Sequence, residues 1–207
     1  MYIINEKNNY ILQHSYNVAR YAVLIGNELK LKEYEISLLR IGGMLHDIGK
    51  ICIPDNILNK SETLTNEEFE IIKKHSTIGE ILIPDDYKEI KRIVRNHHER
   101  YDGSGYPDKL KEENLPFFAR IISIADAFDA MTTQRVYNNI KTLDEAIDEL
   151  YKSSKKQYNK YGDINQQLDR NLVNIFISGI KKDNNLMLEF EEKDKRILNK
   201  RKILKKP

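Results

Sequence analysis

The chain has 207 residues, of which 40% are hydrophobic and 32% charged, so it can build a folded core, and its net charge of +2 favours no polyanionic partner. Its apolar runs are far shorter than the roughly 20 residues of a membrane span, and its N-terminus lacks a signal-peptide pattern, so we expect a cytoplasmic protein without a transmembrane segment. The single cysteine, Cys52, excludes an internal disulfide and a cysteine-rich zinc module, and we expect it in the core.

Apolar residues recur at helical spacing along nearly the whole chain, which predicts an all-α fold of about seven helices. The first two helices are predicted near residues 11–29 and 36–46. In a capping box, Thr or Asp is followed three residues later by Glu, and this pattern predicts helices that begin after Thr65 and Asp86.

The second half of the chain continues the helical pattern. A fifth helix is predicted near residues 117–132, a sixth begins after Thr142 in another capping box, and a seventh covers residues 168–176. A short strand is an open alternative at residues 186–190.

The C-terminal residues are basic. Residues 181–207 hold ten Lys or Arg and five Asp or Glu, a balance of +5, which leaves −3 for residues 1–180. Acids are interleaved with the bases and no aromatic ladder accompanies them, so we interpret the segment as a solvated helical tail and expect no nucleic-acid partner. We therefore predict one domain in residues 1–180 and a basic tail in residues 181–207.

The histidines and their neighbouring carboxylates indicate a metal centre. Taken singly, a histidine on an apolar face is more often a hydrogen-bonded core residue than a ligand. Here, however, His46 is followed by Asp47, and His97 is followed by His98. Asp126 lies in an apolar stretch where an unpaired carboxylate would be costly, and a cation among histidines would stabilise it.

The chemistry of these residue types favours a pair of transition-metal ions. A carboxylate such as Asp47 has two oxygens and can bridge two cations. Two ions about 3.5–4 Å apart can activate a water and clamp a phosphoryl oxygen. Mixed imidazole and carboxylate ligands favour iron, manganese or zinc over calcium.

Three motifs stand in order along the chain: HDIGK at 46–50, HHERYDGSGYP at 97–107 and ARIISIADAFDAMTTQRVY at 119–137. Together they resemble the HD-GYP family, a bacterial branch of the HD phosphohydrolases, and the resemblance covers roughly residues 10–180. It implies a helical HD-domain fold around a dinuclear metal site.

The resemblance implies two divalent ions per chain and a set of seven ligands. One ion would be held by His14, His46, Asp47 and Asp126, and the other by Asp47, His75, His97 and His98. Iron or manganese is the expected metal, and zinc, nickel or cobalt can take its place in a purified sample.

The resemblance also implies catalytic and substrate-binding residues. Lys50 is similar to a lysine that meets a phosphate or stabilises the leaving oxygen, so Lys50 and Asp47 are the expected catalytic residues. Arg135 is similar to an arginine that binds the substrate phosphate. The loop expected to border the substrate consists of Gly105, Tyr106 and Pro107.

Members of the HD-GYP family hydrolyse cyclic di-GMP, a bacterial second messenger, to linear pGpG or on to GMP, through a hydroxide that bridges the metals. The resemblance therefore implies a metal-dependent cyclic di-GMP phosphodiesterase, and leaves open a homodimer and a sensor or signalling partner. Two alternatives remain. One is an HD-type phosphohydrolase for another cyclic dinucleotide or a nucleotide, and the other is a metal-containing cyclic di-GMP sensor or interaction module without turnover.

Two positions depart from the family pattern. Tyr10 stands where some members have a glutamate that helps to hold a third metal, so we expect two ions. Asn138 stands where a basic residue is frequent, which removes a cation that could bind phosphate. We therefore expect pGpG to accumulate.

Residues around the GYP motif have alternative roles. Glu99 either orients a ligating histidine or is a helix-end salt-bridge residue. Asp102 is expected to cap the loop through Asx-type hydrogen bonds, and Gly103 and Gly105 to adopt positive φ. Tyr106 either stacks on a guanine or packs within the loop.

Overall fold

The computed structural model describes residues 9–133, 140–158 and 164–204. These residues form nine α-helices: α1 (Asn9–Glu28), α2 (Glu33–Leu45), α3 (Asp55–Leu58), α4 (Asn66–Leu82), α5 (Lys88–Asn96), α6 (Phe117–Thr132), α7 (Leu143–Ser154), α8 (Arg170–Lys182) and α9 (Asn184–Leu204). Two short 3-10 helices cover Ile48–Cys52 and Glu112–Asn114. The expected all-α fold is confirmed, with α3 and α9 in addition to the seven expected helices.

Between α7 and α8 lies a two-stranded antiparallel hairpin that the apolar pattern does not predict. Its strands, β1 (Gln157–Tyr158) and β2 (Ile164–Asn165), pair in the register Gln157 opposite Asn165. Each strand has only two residues, too few for the alternation that marks a strand in sequence.

Side-chain caps start two of the helices as predicted. Thr65 accepts a hydrogen bond from the backbone N–H of Glu68, and the Glu68 side chain accepts one from the N–H of Thr65. Thr142 and Glu145 repeat the arrangement at α7. The expected cap at Asp86 is wrong, because α5 begins at Lys88 with Tyr87 at the N-cap position.

The core surrounds α1, which packs against α2, α6 and α8. Its centre is a set of buried aromatic rings in edge-to-face contact. The ring centroid of Tyr21, on α1, lies 5.1 Å from that of Phe128, on α6, and 5.9 Å from that of Phe176, on α8. Burial of such large side chains is the main stabilising contribution to a domain of this kind. It fixes α1 against α6, the two helices that carry His14 and Asp126.

The C-terminal segment is helical, but it is more than a solvated tail. Residues 186–190 lie within α9, so the strand considered there is wrong. Leu186 and Phe190 are buried in the core, and the Phe190 ring lies 5.5 Å from that of Phe128. The apolar residues at these positions reflect one face of a long helix.

Cys52 is exposed at the end of a 3-10 helix, so its expected place in the core is wrong.

Among the described ranges, no helix is both long and apolar enough to cross a bilayer.

Candidate metal centre and adjoining groove

All seven residues predicted as metal ligands converge in one place. They come from five parts of the fold: His14 from α1, His46 and Asp47 from the end of α2, His75 from α4, His97 and His98 from the end of α5, and Asp126 from α6. His14, His46, Asp47, His75 and His97 are buried, while His98 and Asp126 are partly exposed. The site therefore opens to solvent on the side of the last two.

The ligand atoms form two groups that share Asp47. His14, His46 and Asp47 make one group, and Asp47, His75, His97 and His98 make the other, with the atoms of each group within 4.8 Å of one another. Asp126 adjoins the first group, because its Oδ1 lies 3.2 Å from His14 Nε2. This grouping matches the expected allocation of ligands; their binding of metal remains a prediction.

The two oxygens of Asp47 face different histidines. Oδ2 lies 3.4 Å from His46 Nε2 and 3.7 Å from His14 Nε2. Oδ1 lies 3.3 Å from His75 Nε2 and 3.9 Å from His97 Nε2. This carboxylate can therefore contribute one oxygen to each group.

Hydrogen bonds at Nδ1 orient the histidine rings. His46, His75 and His97 each donate from Nδ1 to the carbonyl oxygen three residues earlier in the chain, at 2.8, 2.7 and 2.8 Å. A carbonyl oxygen has no proton, so Nδ1 must carry the hydrogen and Nε2 of a neutral ring keeps its lone pair. All three Nε2 atoms face Asp47, in the tautomer that binds a metal.

The electrostatics of the site keep one part neutral and the other charged. Burial lowers the pKa of His98 to about 3 and holds the pKa of His97 well below its ordinary value. Burial would also lower the pKa of His14, but hydrogen bonds to Asp126 and Asp129 and the negative charges of Asp126 and Asp47 raise it to about 9. In Asp47, burial opposes ionisation, but Lys50 and His46 hold the pKa of the carboxyl well below its usual range.

Two observations indicate that this cluster suits divalent cations. Within the described residues, the buried atoms His46 Nε2 and Asp47 Oδ1 make no hydrogen bond of acceptable geometry. His75 Nε2 and His97 Nε2 lie 3.3 Å apart although both carry lone pairs, an arrangement that a shared cation would stabilise. Two nitrogens bound tetrahedrally to one zinc-sized ion are about 3.4 Å apart. Nitrogen and carboxylate donors in this proportion suit iron, manganese or zinc.

Asp129 supports the site, although the sequence patterns described above do not predict a role for it. It is fully buried on α6, and its Oδ2 lies 2.6 Å from His14 Nδ1. Its Oδ1 accepts hydrogen bonds from Asn17 and Thr133, both at 2.7 Å. A signal for it exists in the sequence, because Asp129 follows Asp126 by three residues, which places both carboxylates on one helix face.

Glu99 organises the GYP loop. Both roles considered for Glu99 are wrong: its buried carboxylate accepts hydrogen bonds from the backbone N–H groups of Asp108, Lys109 and Leu110, at 2.6, 3.0 and 3.2 Å. Three backbone donors on one carboxylate tie residues 108–110 to the end of α5, next to His98.

The remaining loop residues divide between confirmed and wrong expectations. Asp102 accepts from the N–H of Ser104 at 2.9 Å in an Asx turn, and Gly103 has a φ of +79°, both as expected. Gly105 does not have positive φ; instead, a Cβ there would lie 2.4 Å from the backbone nitrogen of Arg100. Glycine is required at Gly105 because of this close approach.

A groove adjoins the cluster between α4 and the GYP loop. Its volume is about 860 Å³, and its lining includes His98, Gly105, Tyr106 and Pro107. The Tyr106 ring stacks on that of His98 with centroids 4.8 Å apart, so it packs against the metal centre. The predicted border loop thus lies at the groove.

Two predicted cationic residues have different outcomes. Lys50 lies at the cluster, where its Nζ donates to Asp47 Oδ2 at 2.6 Å. Arg135 lies outside the described residues, as does Asn138. The phosphate-binding roles of Lys50 and Arg135 remain predictions.

Comparison with known proteins finds similar proteins that are named as cyclic dinucleotide phosphodiesterases. A sequence profile of the HD domain family matches residues 1–161. A cyclic di-GMP phosphodiesterase of Thermotoga maritima is 43% identical over 150 residues, which are 70% of this chain and 41% of that protein. The cyclic di-GMP phosphodiesterase response regulator RpfG of Xanthomonas campestris is 42% identical over 134 residues, 63% of this chain and 35% of its own.

A third relative is named for a different substrate. The 3′3′-cGAMP-specific phosphodiesterase 2 of Vibrio cholerae is 36% identical over 141 residues, which are 66% of this chain and 27% of that protein. The matched part of this chain thus spans less than half the length of each of these three relatives.

Solved structures share the fold. Bd1817, described as an HDG“Y”P protein of Bdellovibrio bacteriovorus, aligns with a TM-score of 0.64 at 21% identity, over 83% of this chain and 52% of its own. The HD domain of the phosphodiesterase PgpH of L. monocytogenes, in complex with cyclic-di-AMP, aligns with a TM-score of 0.58 at 22% identity, over 86% of this chain and 91% of its own.

Proposed function

The chain belongs to the HD domain family, in its HD-GYP branch, and we propose that it is a metal-dependent phosphodiesterase that hydrolyses cyclic di-GMP to linear pGpG. We assign the catalytic domain to residues 1–180; the basic segment 181–207 follows it and packs Leu186 and Phe190 into its core. Two relatives named as cyclic di-GMP phosphodiesterases support this substrate.

The observation that carries the proposal is the division of Asp47 between two groups of imidazoles. Each of its oxygens faces two Nε2 atoms, at 3.3 to 3.9 Å. A single ion needs only one such group, whereas a shared carboxylate suits two neighbouring ions. Two adjacent ions are the arrangement that phosphodiester hydrolysis uses in many enzymes.

The two groups of residues would each hold one divalent ion; their ligand types suit iron, manganese or zinc, and the resemblance to the family favours iron or manganese. We assign the first ion to His14, His46, Asp47 and Asp126, and the second to Asp47, His75, His97 and His98. When bound, such ions supply Lewis-acid charge and a water activated for attack at phosphorus.

The chain's own residues bind and orient the substrate. Four cationic side chains and one carboxylate line the groove: Lys73, Lys74, Arg100, Lys109 and Glu70. This excess of positive charge attracts a dianionic dinucleotide and raises its local concentration. We propose that Lys50, whose side chain is 24% exposed, donates to a phosphate or leaving oxygen, and that Arg135 is a second phosphate donor.

A second candidate substrate is 3′3′-cGAMP, because a relative of 36% identity is named as specific for it. Cyclic di-GMP and 3′3′-cGAMP have the same phosphodiester ring and differ in one base. The metal centre that we propose would act on either, so the distinction rests on the groove.

The proposal is tested by measuring metal content and turnover on one sample prepared without oxygen. The wild-type chain is expected to contain two divalent ions and to convert cyclic di-GMP to pGpG. Asp47→Ala is expected to lose metal and activity together, because Asp47 is the residue that the two ligand groups share among the described residues.

A matched control separates loss of the site from general damage. Asp148 is exposed on α7, and Asp148→Ala removes a carboxylate outside both ligand groups. This variant should keep full metal content and turnover. A metal-loaded wild-type chain that binds cyclic di-GMP without cleaving it would contradict the enzyme and favour a sensor.

A further inference from the structure

One wall of the groove is formed by side chains of α4, two of which enter the proposed function only through their charge. Phe69, Glu70 and Lys73 line this wall, and the loop with Tyr106 lines the opposite one. The groove volume of about 860 Å³ lies within the range of small-molecule sites, roughly 300–1,000 Å³. His98 lines the same groove, so a ligand in it lies beside the predicted metal ligands.

Aromatic rings offer surfaces for a nucleobase along this wall. Phe69 is 45% exposed and lines the groove, so part of its ring is accessible to a ligand there. Lys73 Nζ lies 4.8 Å from the centroid of the Phe69 ring and 5.5 Å from that of Tyr106. Bases stack on such rings with little regard to their identity, so the rings alone do not select a base.

Glu70 and Lys73 form an ion pair beside these rings. Lys73 Nζ lies 2.6 Å from Glu70 Oε1. Lys73 is mostly covered, with 28% of its side chain exposed, whereas Glu70 is 66% exposed. The carboxylate is therefore free to accept further hydrogen bonds from a ligand in the groove.

We propose that Glu70 and Lys73 recognise the Watson–Crick edge of one guanine base of the substrate, an inference that rests on the proposed function. That edge presents the O6 acceptor beside the N1–H and N2–H donors. Glu70 accepts from N1–H and N2–H, and Lys73 donates to O6. Adenine presents an acceptor at N1, which would face the carboxylate without a hydrogen between them, so adenine is disfavoured.

The alternative is that the ion pair between Glu70 and Lys73 only stabilises α4. Ion pairs three residues apart stabilise a helix slightly, independently of any ligand. The two roles are distinguished by the ratio of GMP to AMP affinity, because loss of an ion pair that only supports the helix would leave this ratio unchanged.

The test measures binding of GMP and AMP to the metal-loaded protein by calorimetry, which requires no turnover. The wild-type chain is expected to bind GMP more tightly than AMP. Glu70→Ala should weaken GMP binding about tenfold, the loss of one or two charge-assisted hydrogen bonds, and leave AMP binding unchanged. Glu67→Ala, which removes an exposed carboxylate of α4 outside the groove lining, should change neither.

Equal affinity for GMP and AMP in the wild-type chain, or an unchanged ratio in Glu70→Ala, would overturn the proposal. Turnover of cyclic di-GMP, measured in parallel, reports on the proposed function separately. Cleavage together with an unchanged GMP to AMP ratio would reject guanine recognition by Glu70 while leaving the phosphodiesterase intact.

Discussion

His14 and Asp129, 115 positions apart in the chain, are joined by a contact of 2.6 Å between Nδ1 and Oδ2. The contact links the first and sixth helices and turns His14 Nε2 toward Asp47 and Asp126. Because Asp129 is fully buried and also accepts from Asn17 and Thr133, its position is set by several hydrogen bonds at once. Asp129 is thus a positioning residue for the first ligand group.

Replacing Asp129 with asparagine should weaken metal binding. The amide nitrogen of Asn can donate to His14 Nδ1, which would leave the ring hydrogen on Nε2, where it blocks a cation. Loss of such an outer partner typically costs 10–100-fold in metal affinity, and we expect an effect of about this size. Titration with Mn²⁺ measures it, with Asp148→Asn as the control. Unchanged affinity in a folded Asp129→Asn variant would contradict the positioning role.

A residue of the site can be predicted from the sequence when its own type and motif indicate its role, and not when its role depends on partners that only the fold brings close. His46, Asp47 and the pair His97–His98 are predictable from the motifs, and their residue types favour a cation. His14 and His75 lie outside the motifs and follow from the resemblance to the family alone. Asp129 was missed although the argument that identified Asp126 applies to it equally. The role of Glu99 could not be predicted, because its partners are backbone groups of a loop whose path only the fold determines.

The errors in the fold have a similar origin. Residues 186–190 were considered as a strand from a window of five positions, whereas the buried contact of Phe190 with Phe128 belongs to a helix of 21 residues. Cys52 was expected inside because cysteine is small and apolar, but a 3-10 helix places it at the surface. Gly105 shows that a glycine in a loop can be required by a close backbone approach rather than by φ.

Lys50→Ala should separate binding of metal from catalysis. An ammonium group cannot ligate a cation, so the variant is expected to retain its metal ions. Turnover should fall about 100-fold, the usual effect of removing one preorganised donor from developing negative charge. Metal analysis and kcat are measured on the same sample, with Lys152→Ala on α7 as the control. Loss of metal from folded Lys50→Ala would show that Lys50 supports the ligands instead.

Glu99→Gln should loosen the GYP loop without removing metal. An amide NH₂ placed against backbone N–H groups loses at least one of the three hydrogen bonds that Glu99 accepts. We expect KM for cyclic di-GMP to rise about tenfold, with metal content unchanged, because the loop lines the groove. The exposed Glu62→Gln provides the control. An unchanged KM would contradict the expectation that the hydrogen bonds of Glu99 to the loop support substrate binding.

The product of the reaction is expected to be pGpG. By the resemblance to the HD-GYP family, Tyr10 stands where some members have a glutamate that helps to hold a third ion, and Asn138 stands where a basic residue is frequent. The linear product carries an added terminal phosphate charge and has regained torsional freedom, so its rebinding costs more than binding of the closed ring. Chromatography over time should show pGpG accumulating with little GMP. Prompt conversion to GMP without a pGpG intermediate would refute this expectation.

The most direct test of the dinuclear centre is anomalous X-ray diffraction from crystals of the protein prepared without oxygen and loaded with manganese. The account predicts two peaks about 3.5–4 Å apart, one on each side of the Asp47 carboxylate, the first beside His14 and His46 and the second beside His75 and His97. A single peak, or peaks that Asp47 does not bridge, would contradict it.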